Sequence, residues 1–340
     1  MDRSATEQTR ARARAIALAA VGAGLCFVIG VAWWLRSGPS PVLAVAPGTR
    51  LLAMSHGRLY WLERTCTLWR AEIDDGRVTA EPLEPILRRR ECTPDDPRFD
   101  SDVIYELSGL GQVVRDSPRQ RSTVLERNLL YALALDSRYL YAGNCAQADN
   151  CQIERLPAED NPGDPLLIQA GIHALANIEV DQTEIFWVDR GRHKPICGNE
   201  TIGDSNVVEY RCHDPVPPRL MAAKKDEPRA TERVVLTDFD GRRPLLGARH
   251  VYWLGAGGVH RVAKAGGASQ LVLPTRALSG FAADGNDVFF AADGGIFRAR
   301  DGEAVRPLHR TAGPPRGLAV DADFVYWIDT DRNALVRQRR

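Results

Sequence analysis

The chain has 340 residues, with 44 Lys and Arg against 44 Asp and Glu, so its formal net charge is zero. A surface that binds nucleic acid needs a basic patch and a positive excess, so this composition argues against DNA or RNA as a partner. The length exceeds that of a usual single domain of about 100 to 200 residues, but an all-β repeat domain commonly reaches it as one unit.

Residues 15–35 form an apolar run of 21 residues without a charge. As a helix, this run can cross the roughly 30 Å hydrocarbon core of a bilayer. Three arginines ending at Arg14 precede it, whereas Arg36 alone begins the far flank, so residues 1–14 are predicted to be a cytoplasmic tail. We therefore expect a single-pass signal anchor with the remainder of the chain in the periplasm or outside the cell. The alternative is a secretory signal cleaved after Ala32.

Seven short apolar strands recur after this segment, and each is followed 8 to 24 residues later by an apolar-x-Arg triplet. The strand markers are Trp61, Tyr105, Ala142, Trp187, Trp253, Phe290 and Trp327, and all but Ala142 are aromatic. The arginines of the triplets are Arg70, Arg115, Arg155, Arg211, Arg261, Arg298 and Arg337. A period near 40 residues with several strands per unit is typical of a β-propeller, whose blades bury their faces against their neighbours.

The sixth unit predicts four strands, at 281–283, 288–291, 295–298 and 305–308, and the fifth unit repeats the pattern. Four strands make one propeller blade. Most units also carry a turn residue six positions before the marker, namely Asp136, Asp181, Gly247, Asp284 and Asp321. Asp bonds to nearby backbone N–H groups and Gly permits positive φ, so a tight turn between the first two strands is predicted.

The second unit leaves the number of blades open. Its strands two to four fit 103–107, 112–115 and 123–126, but its first strand would be the polar stretch 86–90. If that stretch is an insertion, the ring has six blades. Arg115 at the expected place favours an all-β propeller with seven four-stranded blades.

The last unit lacks a fourth strand, because the chain ends at Arg340. An extended run at 42–46, after a linker at 36–41, can supply that strand and so remove an unpaired edge. The predicted propeller therefore covers residues 42–340. If 42–46 closes the ring, the short linker holds the propeller close to the membrane.

Two of the strand markers carry a family resemblance. Val325-Tyr326-Trp327-Ile328-Asp329 and Phe186-Trp187-Val188-Asp189, with the arginine triplets that follow, resemble the YWTD repeat of propellers of the low-density-lipoprotein-receptor type. This resemblance implies a propeller that binds proteins or serves as a structural module, and it carries no catalytic residue across. That family has six blades, so seven units depart from it.

Six cysteines follow the membrane segment, and an even number in an oxidising compartment predicts disulfides. Their grouping favours the pairs Cys66 with Cys92, Cys145 with Cys151, and Cys197 with Cys212. In a four-stranded blade, the loops between strands two and three share one face with the links between blades. All six cysteines map to that face, which the closing strand would direct away from the membrane.

The same face is predicted to carry the longest insertion, within the 66 residues of the fourth unit. Long loops on a rigid scaffold commonly form binding sites. The candidate binding residues are Arg190, Arg192, His193, Asn199, Glu200 and His213. An insertion without function is the alternative. His193, Cys197, Cys212 and His213 could also bind zinc, but their spacing matches no known finger and export favours a disulfide.

The sequence contains no G-x-S-x-G, H-E-x-x-H or phosphate-binding glycine motif. We therefore expect a monomeric, non-catalytic binding or scaffold module, without cofactor or metal, for a protein or a polymer of the cell envelope. The alternative is a propeller enzyme, a glycan hydrolase or lyase, with its site at the central funnel. Paired carboxylates, or a cluster of His, Arg and Tyr at the funnel, would favour the enzyme.

Overall fold

The computed structural model describes residues 39–340 except 66, 75, 76, 84–96, 101, 102, 109, 110, 118–120, 128, 148, 149, 160–162, 193–195 and 202–207. The predicted membrane segment at 15–35 lies outside the described residues. Within the described part of the chain, no helix is both long enough and apolar enough to span a bilayer.

Strands of the described residues build seven four-stranded antiparallel sheets, the blades of a propeller. Blade 1 contains β2 (Arg50–Ser55), β3 (Arg58–Leu62), β4 (Leu68–Asp74) and β5 (Arg77–Pro82). Blade 2 contains β6 (Arg98–Asp100), β7 (Val103–Ser108), β8 (Gln112–Asp116) and β9 (Arg121–Glu126). Blade 3 contains β10 (Leu130–Leu135), β11 (Tyr139–Gln147), β12 (Asn150–Pro157) and β13 (Leu166–Ile172).

The fourth blade differs from the others, because a separate hairpin of β16 (Ile196–Thr201) and β17 (Val208–His213) is inserted into it. The sheet of blade 4 contains β14 (Leu175–Val180), β15 (Glu184–Asp189), β18 (Arg219–Lys224) and β19 (Arg233–Thr237). A short helix, α1 (Pro228–Thr231), lies between β18 and β19.

The remaining blades complete the ring. Blade 5 contains β20 (Arg242–Leu246), β21 (His250–Gly255), β22 (Gly258–Ala263) and β23 (Gln270–Pro274). Blade 6 contains β24 (Leu278–Asp284), β25 (Asp287–Ala292), β26 (Gly295–Arg300) and β27 (Arg306–Arg310). Blade 7 contains β28 (Arg316–Val320), β29 (Phe324–Asp329), β30 (Ala334–Arg339) and, as its outermost strand, β1 (Ser40–Ala44).

Seven buried hydrophobic clusters hold the blades together, one at each junction between neighbours. At the junction that closes the ring, Trp61 and Leu59 of blade 1 share a cluster with Tyr326 and Leu335 of blade 7. The marker tryptophans are at most 1% exposed. Burial of large aromatic side chains between blades is the main apolar contribution to such a fold. The prediction of seven four-stranded blades is confirmed.

The first strand of blade 2 lies elsewhere than the sequence predicts. It is β6, from Arg98 to Asp100, whereas the proposed strand at 86–90 lies outside the described residues. The ring of Phe99 stacks on Tyr60 of blade 1 with 4.4 Å between centroids. A three-residue strand with one aromatic anchor shows little alternation in sequence, which explains the error.

The closing strand β1 pairs antiparallel with β30, with Ser40 opposite Arg337 and Ala44 opposite Ala334. It begins two residues before the predicted run at 42–46. Backbone hydrogen bonding continues past the strand, because the Val45 N–H donates to the carbonyl of Asn333 at 2.8 Å. The outer edge of blade 7 is therefore paired by residues from the other end of the chain.

The repeated arginines occupy similar positions in their blades, with the exception of one of the predicted seven. Five of them lie directly across the sheet from the residue that precedes the strand marker, as Arg70 does with Tyr60 and Arg337 with Tyr326, and Arg115 lies opposite the marker Tyr105 itself. In blade 4 the residue opposite Phe186 is Ala222. Arg211 instead lies in β17 of the hairpin, opposite Gly198, so its assignment to the repeat was wrong.

The predicted turn residues form a recurring hydrogen-bond motif between strands one and two. Asp136 accepts from the N–H groups of Arg138 and Tyr139 at 2.8 Å each, and from the hydroxyl of Tyr141 at 3.1 Å. Asp321 repeats all three bonds with its own neighbours, and Asp181 repeats the two backbone bonds. We call the face that bears these turns the Asp face.

A cation from the next blade often completes this motif. The residue directly after the third strand reaches back, so that Lys225 binds Asp136, Lys264 binds Asp181 at 2.6 Å, and Arg340 binds Asp284. These pairs join blades 3 to 4, 4 to 5 and 6 to 7. Each turn therefore contributes to the angle between neighbouring blades as well as to its own hairpin.

The junction of blades 5 and 6 has the same motif, but its carboxylate comes from the neighbouring blade instead of the turn. Gly247 occupies the turn position, and Asp301, directly after β26, supplies the missing carboxylate from blade 6. Asp301 accepts from the N–H groups of Arg249 and His250 and, at 2.7 Å, from the hydroxyl of Tyr252. These donors stand two, three and five residues after Gly247, the same spacing as in the motif of Asp136.

The turn carboxylates predict acid sensitivity. Burial alone would raise the pKa of Asp181, but the hydrogen bonds from Lys264 and from the Thr183 and Glu184 N–H groups outweigh it and lower the pKa. A carboxyl whose pKa is lower in the folded state stabilises the fold above its unfolded pKa near 4, and this stabilisation is lost as the pH falls further. Chemical denaturation should therefore show stability decreasing below about pH 4. In Asp181→Asn the decrease should be smaller, and an unchanged decrease would contradict the assignment.

A second prediction concerns Gly317 in the innermost strand of blade 7. Its φ is +68°, and a Cβ there would lie 2.2 Å from the carbonyl oxygen of Leu51 in blade 1. We expect Gly317→Ala to reduce the free energy of unfolding by about 2–4 kcal/mol, through backbone strain and displacement of blade 1. Gly294→Ala is the matched control, since its φ is +84° but a Cβ meets nothing within 4 Å. Equal losses in the two variants, measured by denaturation, would exclude the steric contact.

Candidate functional site

The face opposite the Asp face carries the features that distinguish this propeller. It is formed by the loops between strands two and three and by the links from one blade to the next. The Cys145–Cys151 disulfide lies here, across the turn between β11 and β12. We call it the disulfide face.

The hairpin β16–β17 extends from this face, within the loop that joins β15 to β18. Its strands are paired over six residues, and Cys197 lies directly opposite Cys212. This register places the two cysteines as neighbours, and the disulfide between them stays a prediction because their side chains are outside the described part. Cys66 and Cys92, the third predicted pair, lie outside the described residues, so their disulfide also stays a prediction.

The base of the hairpin is closed by backbone hydrogen bonds. The N–H of Arg192 donates to the carbonyl of Val216 at 2.8 Å, and the Val216 N–H donates back at 2.9 Å. Gly191 enters this bridge with φ +65°, and a Cβ there would lie 2.0 Å from the Val216 oxygen. Only glycine permits this close approach, so the two ends of the insertion are held together.

Asp189, the last residue of β15, fixes this base to the propeller. Its carboxylate is 2% exposed and accepts the N–H groups of Gly191 at 2.9 Å and Ala174 at 3.1 Å. The guanidinium of Arg219 donates to it at 3.0 Å, and Nδ1 of His173 lies 3.1 Å away. One side chain therefore ties the hairpin base to β18 and to the link between blades 3 and 4.

The environment of Asp189 holds it ionised. Burial alone would raise its pKa, but the hydrogen bonds from Gly191, His173, Ala174 and Arg219 together lower it. A buried carboxylate that accepts several hydrogen bonds and faces a cation is stable as the anion. The arrangement uses all of its acceptor positions in structure, so Asp189 is a positioning residue.

The Cys145–Cys151 disulfide packs directly beside this network. Sγ of Cys151 accepts the Leu175 N–H at 3.5 Å, at the start of β14 and two residues after His173. The N–H of Cys145 donates to the carbonyl of Leu129 at 3.2 Å. Leu129 is 54% exposed and nearby Tyr131 is 49% exposed, so two apolar side chains reach solvent on this face. Exposed aromatic and aliphatic groups beside a rigid loop are typical of protein-binding surfaces.

The predicted binding residues fall on the hairpin and its base. Arg190 is exposed, and Arg192 lies at the base bridge. Asn199 and Glu200 lie in β16 and His213 in β17, whereas His193 lies outside the described residues. Their role in binding stays a prediction. No sequence pattern indicated the roles of Asp189, His173 and Arg219, although Asp189 belongs to one of the YWTD-like segments.

A central channel of about 430 Å³ is lined by the innermost strands of several blades. The described residues that line it include Arg50, Arg98, Arg243, Phe99 and Phe281, and none is Asp, Glu or His. No group of three or more His, Cys, Asp or Glu among the described residues is placed to hold a metal ion. The paired carboxylates of a glycan hydrolase are thus not found in the described lining of the channel.

The fold defines the chain as a seven-bladed, four-stranded β-propeller. Among solved structures, YCF48 bound to the D1 peptide has a TM-score of 0.55 and 14% identity, over 88% of this chain and 96% of that one. Virginiamycin B lyase from Staphylococcus aureus has a TM-score of 0.54 and 11% identity, over 87% and 97%. PorZ, a surface component of the type-IX secretion system of Porphyromonas gingivalis, has 0.53 and 12%, over 88% and 37%.

These similarities concern the fold alone, because the identities are low. No protein-family model matches the chain, and no curated protein matches it. The structures that share the fold include both a peptide-bound protein and a lyase. The functional interpretation therefore depends on the geometry of this chain.

Proposed function

We propose that this chain is a membrane-anchored, exported propeller that binds a protein partner through its disulfide face and performs no catalysis. The observation that carries the proposal is the hairpin β16–β17, which blade 4 presents on a base locked by the Arg192–Val216 bridge and Asp189. A rigid base reduces the ordering cost of binding, which favours recognition. The YWTD-type resemblance adds the expectation of protein binding, with a blade number different from that family.

The anchor and the orientation are also part of the proposal. Residues 15–35 would cross the membrane, with residues 1–14 in the cytoplasm. Ser40 lies opposite Arg337 near the end of β30, whereas Ala44 lies opposite Ala334 at its start. The chain therefore enters β1 from the Asp face, which supports an Asp face directed at the membrane and a disulfide face directed away from it.

The choice of a protein over an envelope polymer is supported by the exposed apolar side chains of Leu129 and Tyr131 beside the Cys145–Cys151 disulfide. The enzyme alternative is weakened by the described channel lining, which brings together arginines and aromatic groups without a carboxylate pair. YCF48 with its bound D1 peptide is a protein of this fold that holds a peptide.

The proposal is tested by chemical cross-linking and affinity purification of the intact protein from membranes. In the test variant, residues 193–213 are replaced by a short Gly-Ser linker, so the base bridge remains. The control variant carries Asn286→Arg and Asp323→Arg in exposed turns of the Asp face. We expect the wild type and the control to retain one protein partner and the linker variant to lose it. Loss in the control alone, retention in the linker variant, or recovery of a polymer instead of a protein would contradict the proposal.

A further inference from the structure

The central channel is lined by arginines and by several apolar side chains. All first strands run from the disulfide face to the Asp face. Arg50 and Arg243 lie at the first and second positions of β2 and β20, whereas Arg98 begins the short β6 farther along its blade, opposite Tyr105. These arginines come from blades 1, 2 and 5 and line the same cavity of about 430 Å³. Small-molecule sites in proteins commonly occupy cavities of about 300–1,000 Å³.

Arg98 belongs to the wall of the channel. The guanidinium of Arg98 donates to the carbonyl of Leu133 at 2.8 Å and to Glu179 at 2.8 Å. It is thus bound into the wall formed by blades 3 and 4. Arg50 and Arg243 are exposed, so their side chains reach the open mouth of the channel.

Arg243 is held there at a conformational cost. Its φ is +51°, in the left-handed region that side chains other than glycine rarely adopt. Blades 5 and 7 share an irregularity at this point, and the equivalent residue of blade 7 is Gly317 with φ +68°. An arginine at a position suited to glycine, aimed into a cavity, indicates a role outside the stability of the fold.

Apolar side chains line the channel beyond Arg50 and Arg243. Leu52 and Met54 of β2, Phe99 of β6 and Phe281 of β24 are each partly exposed and line the cavity. Phe281 makes an edge contact with Phe290, with 5.4 Å between centroids, which fixes its ring. A ligand that enters from the disulfide face therefore meets Arg50 and Arg243 before it reaches the rings of Phe281 and Phe99.

We propose that the channel binds a small organic anion, with a carboxylate or phosphate head at Arg50 and Arg243 and a flat apolar body against Phe281 and Phe99. Guanidinium groups match both heads through paired hydrogen bonds. This site goes beyond the proposed function, because it uses the innermost strands and not the hairpin. The replacement of 193–213 by a linker should leave it unchanged.

Calorimetric titration of the intact protein in detergent tests the proposal with four probes: benzoate, phenyl phosphate, inorganic phosphate and benzylamine. We expect benzoate or phenyl phosphate to bind, and benzylamine, a cation of similar shape, to bind at least about tenfold more weakly. Preference between benzoate and phenyl phosphate identifies the head group. Absence of binding by both up to about 10 mM, or equal binding of benzylamine, would overturn the proposal.

Variants locate the site and separate it from folding. Arg50→Gln combined with Arg243→Gln should weaken binding at least about tenfold, whereas Arg306→Gln, on the outermost strand of blade 6, should not. Phe281→Ala should weaken benzoate more than inorganic phosphate. Arg243→Gly should weaken the anion yet melt at an equal or higher temperature, because it removes the unfavourable φ. Full binding by the double arginine variant, or a lower melting temperature of Arg243→Gly, would contradict the assignment.

Discussion

Asp301→Lys and Gly247→Asp should each strongly destabilise the protein, whereas the double variant should regain most of the lost stability. Asp301→Lys removes the buried acceptor for the Tyr252 hydroxyl and for the N–H groups of Arg249 and His250. Leaving these donors without an acceptor should cost about 3 kcal/mol or more. Gly247→Asp should cost about 2–4 kcal/mol, because its Cβ would lie 3.1 Å from the Asp301 carboxyl.

The double variant restores the motif of the other blades. Asp at position 247 would accept the same donors as Asp136 does in blade 3, and Lys at position 301 would take the place of Lys225. The losses should therefore not add, and a coupling of at least about 2 kcal/mol is expected from the double-mutant cycle. Denaturant unfolding of the four proteins measures it.

The reverse exchange provides the matched control. Asp136→Gly with Lys225→Asp should convert the junction of blades 3 and 4 into the arrangement now found between blades 5 and 6. It should again be more stable than the sum of its single variants predicts. If the losses of unfolding free energy are additive at both junctions, the turn residue and the residue after the third strand do not compensate for each other. Burial alone would raise the pKa of Asp301, but Tyr252, the Arg249 N–H and His250 lower it, so the cycle should be measured near neutral pH.

The second large effect is expected at Asp189. Asp189→Ala removes a buried carboxylate that serves two backbone N–H groups and Arg219, so we expect a loss of about 3 kcal/mol or more. The hairpin base should open at the same time, since Gly191 loses its acceptor. Limited proteolysis should then cut within residues 190–218 of the variant under conditions that leave the wild type intact.

Asp329→Ala is the matched control, because Asp329 occupies the same strand position in blade 7. Asp329 accepts the N–H groups of Asp331 and Arg332 at 3.1 Å each, in an exposed turn. We expect this variant to lose about 1 kcal/mol or less and to show no new cleavage at 190–218. Similar losses in both variants would mean that Asp189 forms an ordinary turn and does not clamp the hairpin.

The sequence predicted the features that depend on local pattern. Alternating apolar residues and a fixed marker gave seven blades, and cysteines six residues apart predicted the Cys145–Cys151 disulfide. The turn residue before each marker predicted its own hydrogen bonds, because Asp136 and Asp321 bond within five residues of themselves. Such contacts need no knowledge of the other blades.

Features set by contacts between blades were missed. Val208–His213 and Arg219–Lys224 are both strands, and only pairing with β15 decides that the second belongs to blade 4. Asp301 acts on a turn 52 residues earlier in the chain, so no local pattern reveals it. The arginines of the channel come from three separate blades, and their convergence depends on closure of the ring.

Photo-cross-linking from two faces of the anchored protein tests the central claim most directly. A photoreactive amino acid is placed at position 200 in β16, or at position 323 in the exposed turn between β28 and β29 on the Asp face. Irradiation of membranes should give a discrete protein adduct from position 200 and none of the same size from position 323. A shared adduct from both positions, or an adduct from position 323 alone, would contradict binding through the disulfide face.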